Sequence, residues 1–399
     1  MRFSSKMARA AVASFGFCAA GVAWLAPAGA TVGNPTVQQT ISVTQEFPHS
    51  VSDDGTHVWT GSNTVVAEFS ATDGSHVRDI TIPVIGGEFI SSVFSDGTWV
   101  YVAQRNDGGA SLLFRIDCSN GQLDSTSISL GSGMGIAGIY ADASYVWIAE
   151  MNSNSIGKVD KNAWSGTATT ITGFDSPRSV TSLNGTVWVA DNGLRAMDIT
   201  TSSITNHTDA AFAGTASAVT SGNGQVWVNG WSSAYQIDPT SGSILNTVAN
   251  LNNINCLSIT GARLWAGQGN SFALSEIDNS NATLSGTADM SVLGYGTNTI
   301  SIASDGSHAW ALAFDSSYAS VLLEINPGAE VTTTTSTTTS TSTSTTAGPT
   351  TSAASTTSTT AASGGLATTG GDLRGVLVLG AILLTGGAVL APSPRKRLS

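Results

Sequence analysis

Seven times along the chain an aromatic residue stands inside a short apolar run: VWTGS (58–62), VYVAQ (100–104), VWIAE (146–150), VWVAD (187–191), VWVNG (226–230), LWAGQ (264–268) and AWALA (309–313). The central aromatics are Trp59, Tyr101, Trp147, Trp188, Trp227, Trp265 and Trp310, spaced by 42, 46, 41, 39, 38 and 45 residues. Short runs rich in Val and Trp, bounded by turn residues, predict strands, and helix signals are nearly absent. Upstream of most aromatics lies a hairpin turn: Asp54-Gly55, Asp96-Gly97, Asn184-Gly185, Asn223-Gly224, Thr260-Gly261 and Asp305-Gly306. Glycine there supplies positive φ at no steric cost. Asp142-Ala143 is the degenerate copy.

Ten to sixteen residues after each aromatic a second element recurs: AEFS (67–70), FRID (114–117), GKVD (157–160), RAMD (195–198), YQID (235–238), SEID (275–278) and LEIN (323–326). In five copies the closing Asp is placed to cap a turn by accepting backbone N–H bonds. A further β-rich segment follows, such as ATTITG (168–173) or ILNTVA (244–249). Each unit is therefore four strands: inner, aromatic, third and outer. Seven such units predict an all-β fold, a seven-bladed β-propeller with four antiparallel strands per blade. The seventh unit ends at Asn326-Pro327 without a fourth strand, whereas the first is preceded by a spare β-pattern, TVQQTISVTQEF (36–47). That segment is expected to close the ring as the outer strand of the last blade, removing a long open edge.

The flanks differ in character. Arg2, Lys6 and Arg9 precede an apolar stretch and then Ala28-Gly29-Ala30, which predicts a signal peptide over 1–30 and a mature chain from Thr31. The propeller is expected over 31–330. Residues 331–365 are a Ser/Thr-rich stalk, with 25 Ser or Thr among the 32 positions of 332–363, a composition that cannot bury a core. Over 366–399 the chain reads Leu366, Ala367, Thr368, Thr369, Gly370, then an apolar run over 376–391, then Arg395-Lys396-Arg397. This order resembles the cell-wall sorting signal of Gram-positive surface proteins in its actinobacterial LAxTG form. The resemblance implies cleavage between Thr369 and Gly370 by a sortase, and covalent attachment to the cell wall. The membrane is then met only through the C-terminal segment, a short transmembrane helix before sorting.

Charge narrows the partners. The chain has 15 Lys and Arg against 27 Asp and Glu, and the processed product would keep 8 cations and 26 anions, a formal net charge of −18. Such a surface repels nucleic acid. An extracellular glycan or protein ligand remains, and a monomer is expected. Of the cysteines left after processing, Cys118 and Cys256 fall on opposite sides of the ring, so both are expected free and buried. No calcium loop, zinc-type spacing or nucleophile elbow is present, so no cofactor is expected, with a divalent cation in the central channel left open.

The stretch VWIAE–MNSNS–IGKVD (146–160) resembles the blade motif of streptogramin B lyase-like and YVTN-type bacterial propellers. In the lyase of that group, the resemblance implies, histidine and glutamate side chains around the central opening act with a magnesium ion. Here only His49 is expected at that opening. His57 and His308 are read as turn or surface residues of the opposite face, and His76 and His207 fall in outer strands. Glu150 matches the glutamate ending the family motif, and Asp191 is its counterpart one blade on.

Connections entering the inner strands offer His49, Glu88, Arg178, Asn255 and Asn298; those leaving the aromatic strands offer Arg105, Asn106, Glu150, Asp191, Asn192, Trp231 and Asn270. Trp231, an aromatic beyond the repeat, is either a carbohydrate or protein contact or packs on a neighbouring loop. Arg178 is expected to pair with Glu150 or Asp191. These features predict a non-catalytic binding or adhesion module at the cell surface. An exported lyase-like or glycan-cleaving enzyme and a structural envelope protein are the alternatives.

Overall fold

The computed structural model describes residues 34–43, 48–83, 88–207, 211–269, 273–290, 299–314 and 319–328. The expected signal peptide, stalk and sorting signal, with Leu366 to Gly370, lie outside the described residues, as do Asn270 and Asn298.

Seven four-stranded antiparallel sheets make up the fold. Their inner strands are Pro48–Asp53, Phe89–Ser95, Ile136–Ala141, Ser179–Leu183, Val219–Gly222, Ile254–Thr260 and Thr299–Ser304. Each inner strand touches the next in sequence, and the last touches the first, so the sheets form a closed ring. The aromatic strands follow: His57–Ser62, Trp99–Arg105, Tyr145–Glu150, Thr186–Ala190, Gln225–Asn229, Arg263–Gln268 and Ala309–Phe314. The chain is a seven-bladed β-propeller.

Closure takes the expected route. Strand Thr36–Ser42 pairs antiparallel with Ser320–Asn326, Thr36 opposite Asn326 and Ser42 opposite Val321, and supplies the fourth strand of blade 7. The Val43 N–H extends this ladder to the Ser320 carbonyl. Of the segment expected to pair, residues 44–47 lie outside the described residues.

Blade packing explains the repeat. All seven central aromatics are at most 1 % exposed, and each large ring removed from water is a principal source of stability for a thin sheet. Two residues past the aromatic the blades approach closely. A Cβ on Gly61 would stand 2.6 Å from Ile90 Cγ2, and one on Gly267 3.0 Å from Ile302 Cδ1. The glycine of VWTGS therefore answers to the neighbouring blade, and that of LWAGQ to the neighbouring blade and, more closely still, to Cys256 Sγ of its own.

The turns are held by carboxylates. Asp54, Asp96, Asp142 and Asp305 each accept the N–H groups two and three residues on. Asp142-Ala143 is thus no weaker than the Asp-Gly copies, because the carboxylate organises the turn. The five Asp residues closing third strands, Asp117, Asp160, Asp198, Asp238 and Asp278, each accept the N–H two residues on at 2.8–2.9 Å. Cys118 and Cys256 are free and buried, and burial pushes both thiols up to about 12.

His57 corrects the sequence reading. It begins its aromatic strand instead of sitting in a turn, whereas His308 stays in the turn as expected, and each ring faces a buried carboxylate: His57 Nε2 lies 3.4 Å from Glu68 Oε1 and His308 Nε2 3.5 Å from Glu324 Oε1. His308 immediately precedes the strand Ala309–Phe314. Register places both histidines two residues before their blade's Trp, on the face that Trp occupies.

Candidate functional site

The mouth of the ring is formed where chain enters inner strands and leaves aromatic strands. Five inner strands carry a register shift close to their start, at Pro48/Ser50, Ile90/Ser92, Ile136/Gly138, Ile254/Cys256 and Thr299/Ser301. A bulge leaves one residue out of the ladder and re-aims its side chain. His49 and Asn255 are two of those residues.

Around His49 a cluster forms between blades 1 and 2. Its imidazole packs on Phe89 with ring centroids 5.2 Å apart, and the Arg105 guanidinium lies 5.7 Å from the same ring. Burial, then the Arg105 charge, lowers the His49 pKa, so the ring is neutral at physiological pH. Arg105 Nε donates to Asp107 at 2.6 Å, and Asn106 Nδ2 donates to Glu88 at 2.7 Å. Glu88 is therefore a loop tie at 8 % exposure. Phe89, which seats both His49 and Arg105, is the member that sequence reasoning missed. Its signal was an aromatic directly after Glu88 at the start of an inner strand.

Glu150 and Asp191 are not displayed to solvent. Glu150 is fully buried, with Ser155 Oγ donating 2.6 Å to its Oε2 while Oε1 has no partner. Burial raises its pKa. Asp191 Oδ2 accepts the Asp175 N–H at 2.9 Å and Arg195 Nε at 2.7 Å, and Oδ1 has no partner. Burial, only partly offset by the Asp175 N–H and Arg195, holds the Asp191 pKa up to about 6.

Both acids stand three residues after a blade aromatic, where blades 2 and 6 carry Gln104 and Gln268. Gln104 Nε2 donates to the Pro83 carbonyl, and Gln268 Oε1 accepts the Asn252 N–H. With the Asp191–Asp175 bond, the row grips the chain entering its own blade.

The expected Arg178 ion pair is not formed. Asp191 pairs with Arg195 across the tight turn that follows the aromatic strand, and Glu150 takes a hydroxyl instead. Arg178 Nε is buried without an acceptor. Its backbone is fixed by an N–H bond to the Ala190 carbonyl, and its own carbonyl lies 3.0 Å from where a Cβ on Gly138 would stand.

Trp231 is 62 % exposed, the most exposed large hydrophobic side chain among the described residues. Its carbonyl accepts the Ile254 N–H, which sets it one residue from Asn255. Asn255 Nδ2 donates to the Thr299 carbonyl and its Oδ1 is buried without a partner. The structure therefore brings His49, Glu88 and Arg105 together, sets the Trp231 backbone next to that of Asn255, and leaves the buried Glu150 and Asp191 and the half-buried Arg178 unpaired with one another. Among the described residues no group of three or more His, Cys, Asp or Glu could hold a metal ion.

The chain matches no protein-family model and no curated protein. Among solved structures it is similar to streptogramin B lyase, with a TM-score of 0.60 at 15 % identity over 73 % of this chain and 98 % of that one. Virginiamycin B lyase from Staphylococcus aureus gives 0.59 at 16 % identity, covering 72 % and 98 %. A chain of the mitotic checkpoint complex gives 0.60 at 14 % identity, covering 80 % and 99 %. The shared property is the propeller fold. A lyase and a checkpoint component at equal similarity show that it carries no activity with it.

Proposed function

We propose that the chain is an exported, cell-wall-anchored propeller that works as a binding or adhesion module, with the mouth around Trp231 as its contact surface. The observation that carries this reading is the exposure of Trp231 beside Asn255, on a rim whose acids are used internally. A Trp standing in water on a polar rim is the side chain that most often anchors a glycan or protein partner. Glu88, Glu150 and Asp191 are each buried and bonded to loops or hydroxyls, which suits a rigid platform. The signal peptide over 1–30 and the LATTG-type tail over 366–399 would place that platform outside the cell, lifted by the stalk. The test is binding of the full mature chain to glycan and host-protein arrays. Binding abolished by Trp231→Ala supports the module, and turnover of a bound ligand overturns it. Anchoring is tested by mass spectrometry of wall digests, where a chain ending at Thr369 joined to peptidoglycan is expected.

A second reading, an exported lyase-like enzyme, is favoured by one observation. Asp191, with a pKa near 6, lines a cavity of about 180 Å³ together with Arg195 and His207. A carboxyl poised near neutrality suits proton transfer. The same arrays, followed by product analysis with Asp191→Asn, separate the two readings.

A further inference from the structure

One row of the propeller is filled in six blades and open in the seventh. The row consists of the third-strand residue directly opposite the blade aromatic and the residue two before that aromatic, which share its face. Opposite Trp59, Tyr101, Trp147, Trp188, Trp227, Trp265 and Trp310 stand Glu68, Arg115, Lys158, Ala196, Gln236, Glu276 and Glu324. In six blades the pair is large and in contact. His57 meets Glu68, and Arg115 lies 4.2 Å from the Trp99 ring. Lys158 Nζ lies 3.9 Å from the Tyr145 ring, and Gln236 donates to Gln225 at 3.0 Å. Arg263 meets Glu276 at 2.7 Å, and His308 meets Glu324.

In blade 4 the pair is Thr186 and Ala196, and the outer-strand residue opposite Ala196 is Thr205. These three small side chains line a cavity of about 230 Å³ with Trp188, His207 and the blade 5 turn 239–241. Trp188 is 1 % exposed, its ring stacks on His207 at 5.4 Å, and its indole N–H has no acceptor. The neighbouring blade explains that too. Trp227 donates to Asn279, the residue after Asp278, whereas the residue after Asp238 is Pro239, which brings no side-chain acceptor. Trp310 also lacks an acceptor, but its row is filled by His308 and Glu324.

We infer that this cavity between blades 4 and 5 is a binding site for one neutral, polyhydroxylated ring, a single sugar residue. Its volume is below the roughly 300–1,000 Å³ of pockets for drug-sized ligands, so it takes one ring and not a chain. The unsatisfied indole N–H calls for an acceptor oxygen, since a buried donor without one is costly. A cation offers none. An anion is opposed by Asp198, which lines the same cavity and is already held by the Thr200 and Thr201 N–H groups and by the Thr201 hydroxyl. Hydroxyls both accept from Trp188 and donate to the threonines and serines around it. The site lies at the turn end of blade 4, away from Trp231, and does not depend on the function proposed for that mouth.

The test is a titration of the full mature chain with the methyl glycosides of glucose, mannose, galactose and N-acetylglucosamine. The readout is the Trp188 indole N–H resonance, assigned by its loss in Trp188→Phe. At least one sugar should move that peak with a roughly millimolar midpoint, the range open to a single ring. Thr186→Tyr with Ala196→Lys copies the filled row of blade 3 and should weaken the response at least about tenfold while other indole peaks stay in place. If the double variant does not fold, Ala196→Leu closes the same space. Trp231→Ala should leave the response intact, which keeps this site distinguishable from the mouth. No shift with any sugar at about 50 mM overturns the site. A shift that survives filling overturns its location, and a shift only with methylguanidinium overturns the ligand class.

Discussion

Trp147 donates its indole N–H to Asp142 across 2.7 Å, five residues back along the chain. The same carboxylate accepts the Ser144 and Tyr145 N–H groups and the Ser182 hydroxyl of the next blade. Asp54 and Asp96 do this for Trp59 and Tyr101. One side chain thus sets the hairpin, orients the blade aromatic and ties two blades together.

Asp142→Ala should therefore destabilise the domain by ~2–3 kcal/mol, because it leaves a buried indole donor and two turn N–H groups without an acceptor. Asp142→Asn keeps one oxygen, enough for the turn or the indole but not both, and should cost about half as much. Urea unfolding of the two variants gives the order directly. An Asn variant as unstable as the Ala variant would show that charge, not hydrogen-bond count, governs the turn.

Asp191 makes stability depend on pH in an unusual direction for a carboxylate. Its folded pKa of about 6 lies above the ordinary Asp value of 3.8, so the folded state holds the proton more tightly than the unfolded chain. Stability from this group is therefore present below pH 4 and is lost as pH rises through 6. Asp191→Asn removes the charge while keeping an acceptor for the Asp175 N–H. Its advantage over the parent should grow by ~1–2 kcal/mol between pH 4 and pH 7. Urea midpoints at pH 4, 5, 6 and 7 measure it, and parallel profiles would refute the buried-acid account.

Glu150 obeys the same logic one blade earlier. Burial raises its pKa, and glutamines stand at the same place in blades 2 and 6. Glu150→Gln should be neutral or stabilising at pH 7, whereas Glu150→Ala should cost ~1–3 kcal/mol by orphaning Ser155 and leaving space. Thermal melts at pH 7 rank the three proteins, and a strongly destabilised Gln variant would mean that the buried charge itself is required.

The fold could be read from the sequence because its cause is local. An aromatic every 38 to 46 residues, a turn before it and an Asp after it repeat in one dimension, and each element answers mainly to its neighbours. The site was less legible because register decides it. Arg178 and Arg195 are both basic residues near Asp191 in sequence, but only Arg195, four residues on across a tight turn, reaches it. Strand limits put His57 in a strand and leave His308 in its turn, and only the side-chain contacts show them packed on Glu68 and Glu324. The small row Thr186, Ala196 and Thr205 was present in the sequence throughout. It becomes visible only when each third strand is aligned on the residue facing its aromatic.

Thiol chemistry offers an independent view of the packing. Cys118 and Cys256 are buried in different blades, and burial pushes both thiols to about 12. Neither should react with a thiol reagent at pH 8 in the folded protein, since the thiolate is the reactive form. Both should react on unfolding, at rates that follow the opening of their blades. Fast labelling of Cys256 in the native state would mean that blade 6 opens locally.

Closure of the ring gives the largest expected effect. Strand Thr36–Ser42 supplies the whole outer edge of blade 7, through pairs from Thr36–Asn326 to Ser42–Val321. Val37 also packs with Leu323 and Ile325 in the core that holds Trp265. Deleting residues 31 to 47 exposes Ser320–Asn326 as an open edge and cuts the link between the first and last blades. The unfolding midpoint should fall well below the parent's, and the truncated chain should aggregate through that edge. A subtler variant separates edge loss from chain loss. Ile41→Pro removes one ladder N–H near the end of the strand while leaving the segment attached, and should cost ~1–3 kcal/mol if the strand is a required stave. Calorimetry of both, with light scattering to follow aggregation, decides the matter: an unchanged melting temperature in the deletion variant would show that the ring holds without its clasp.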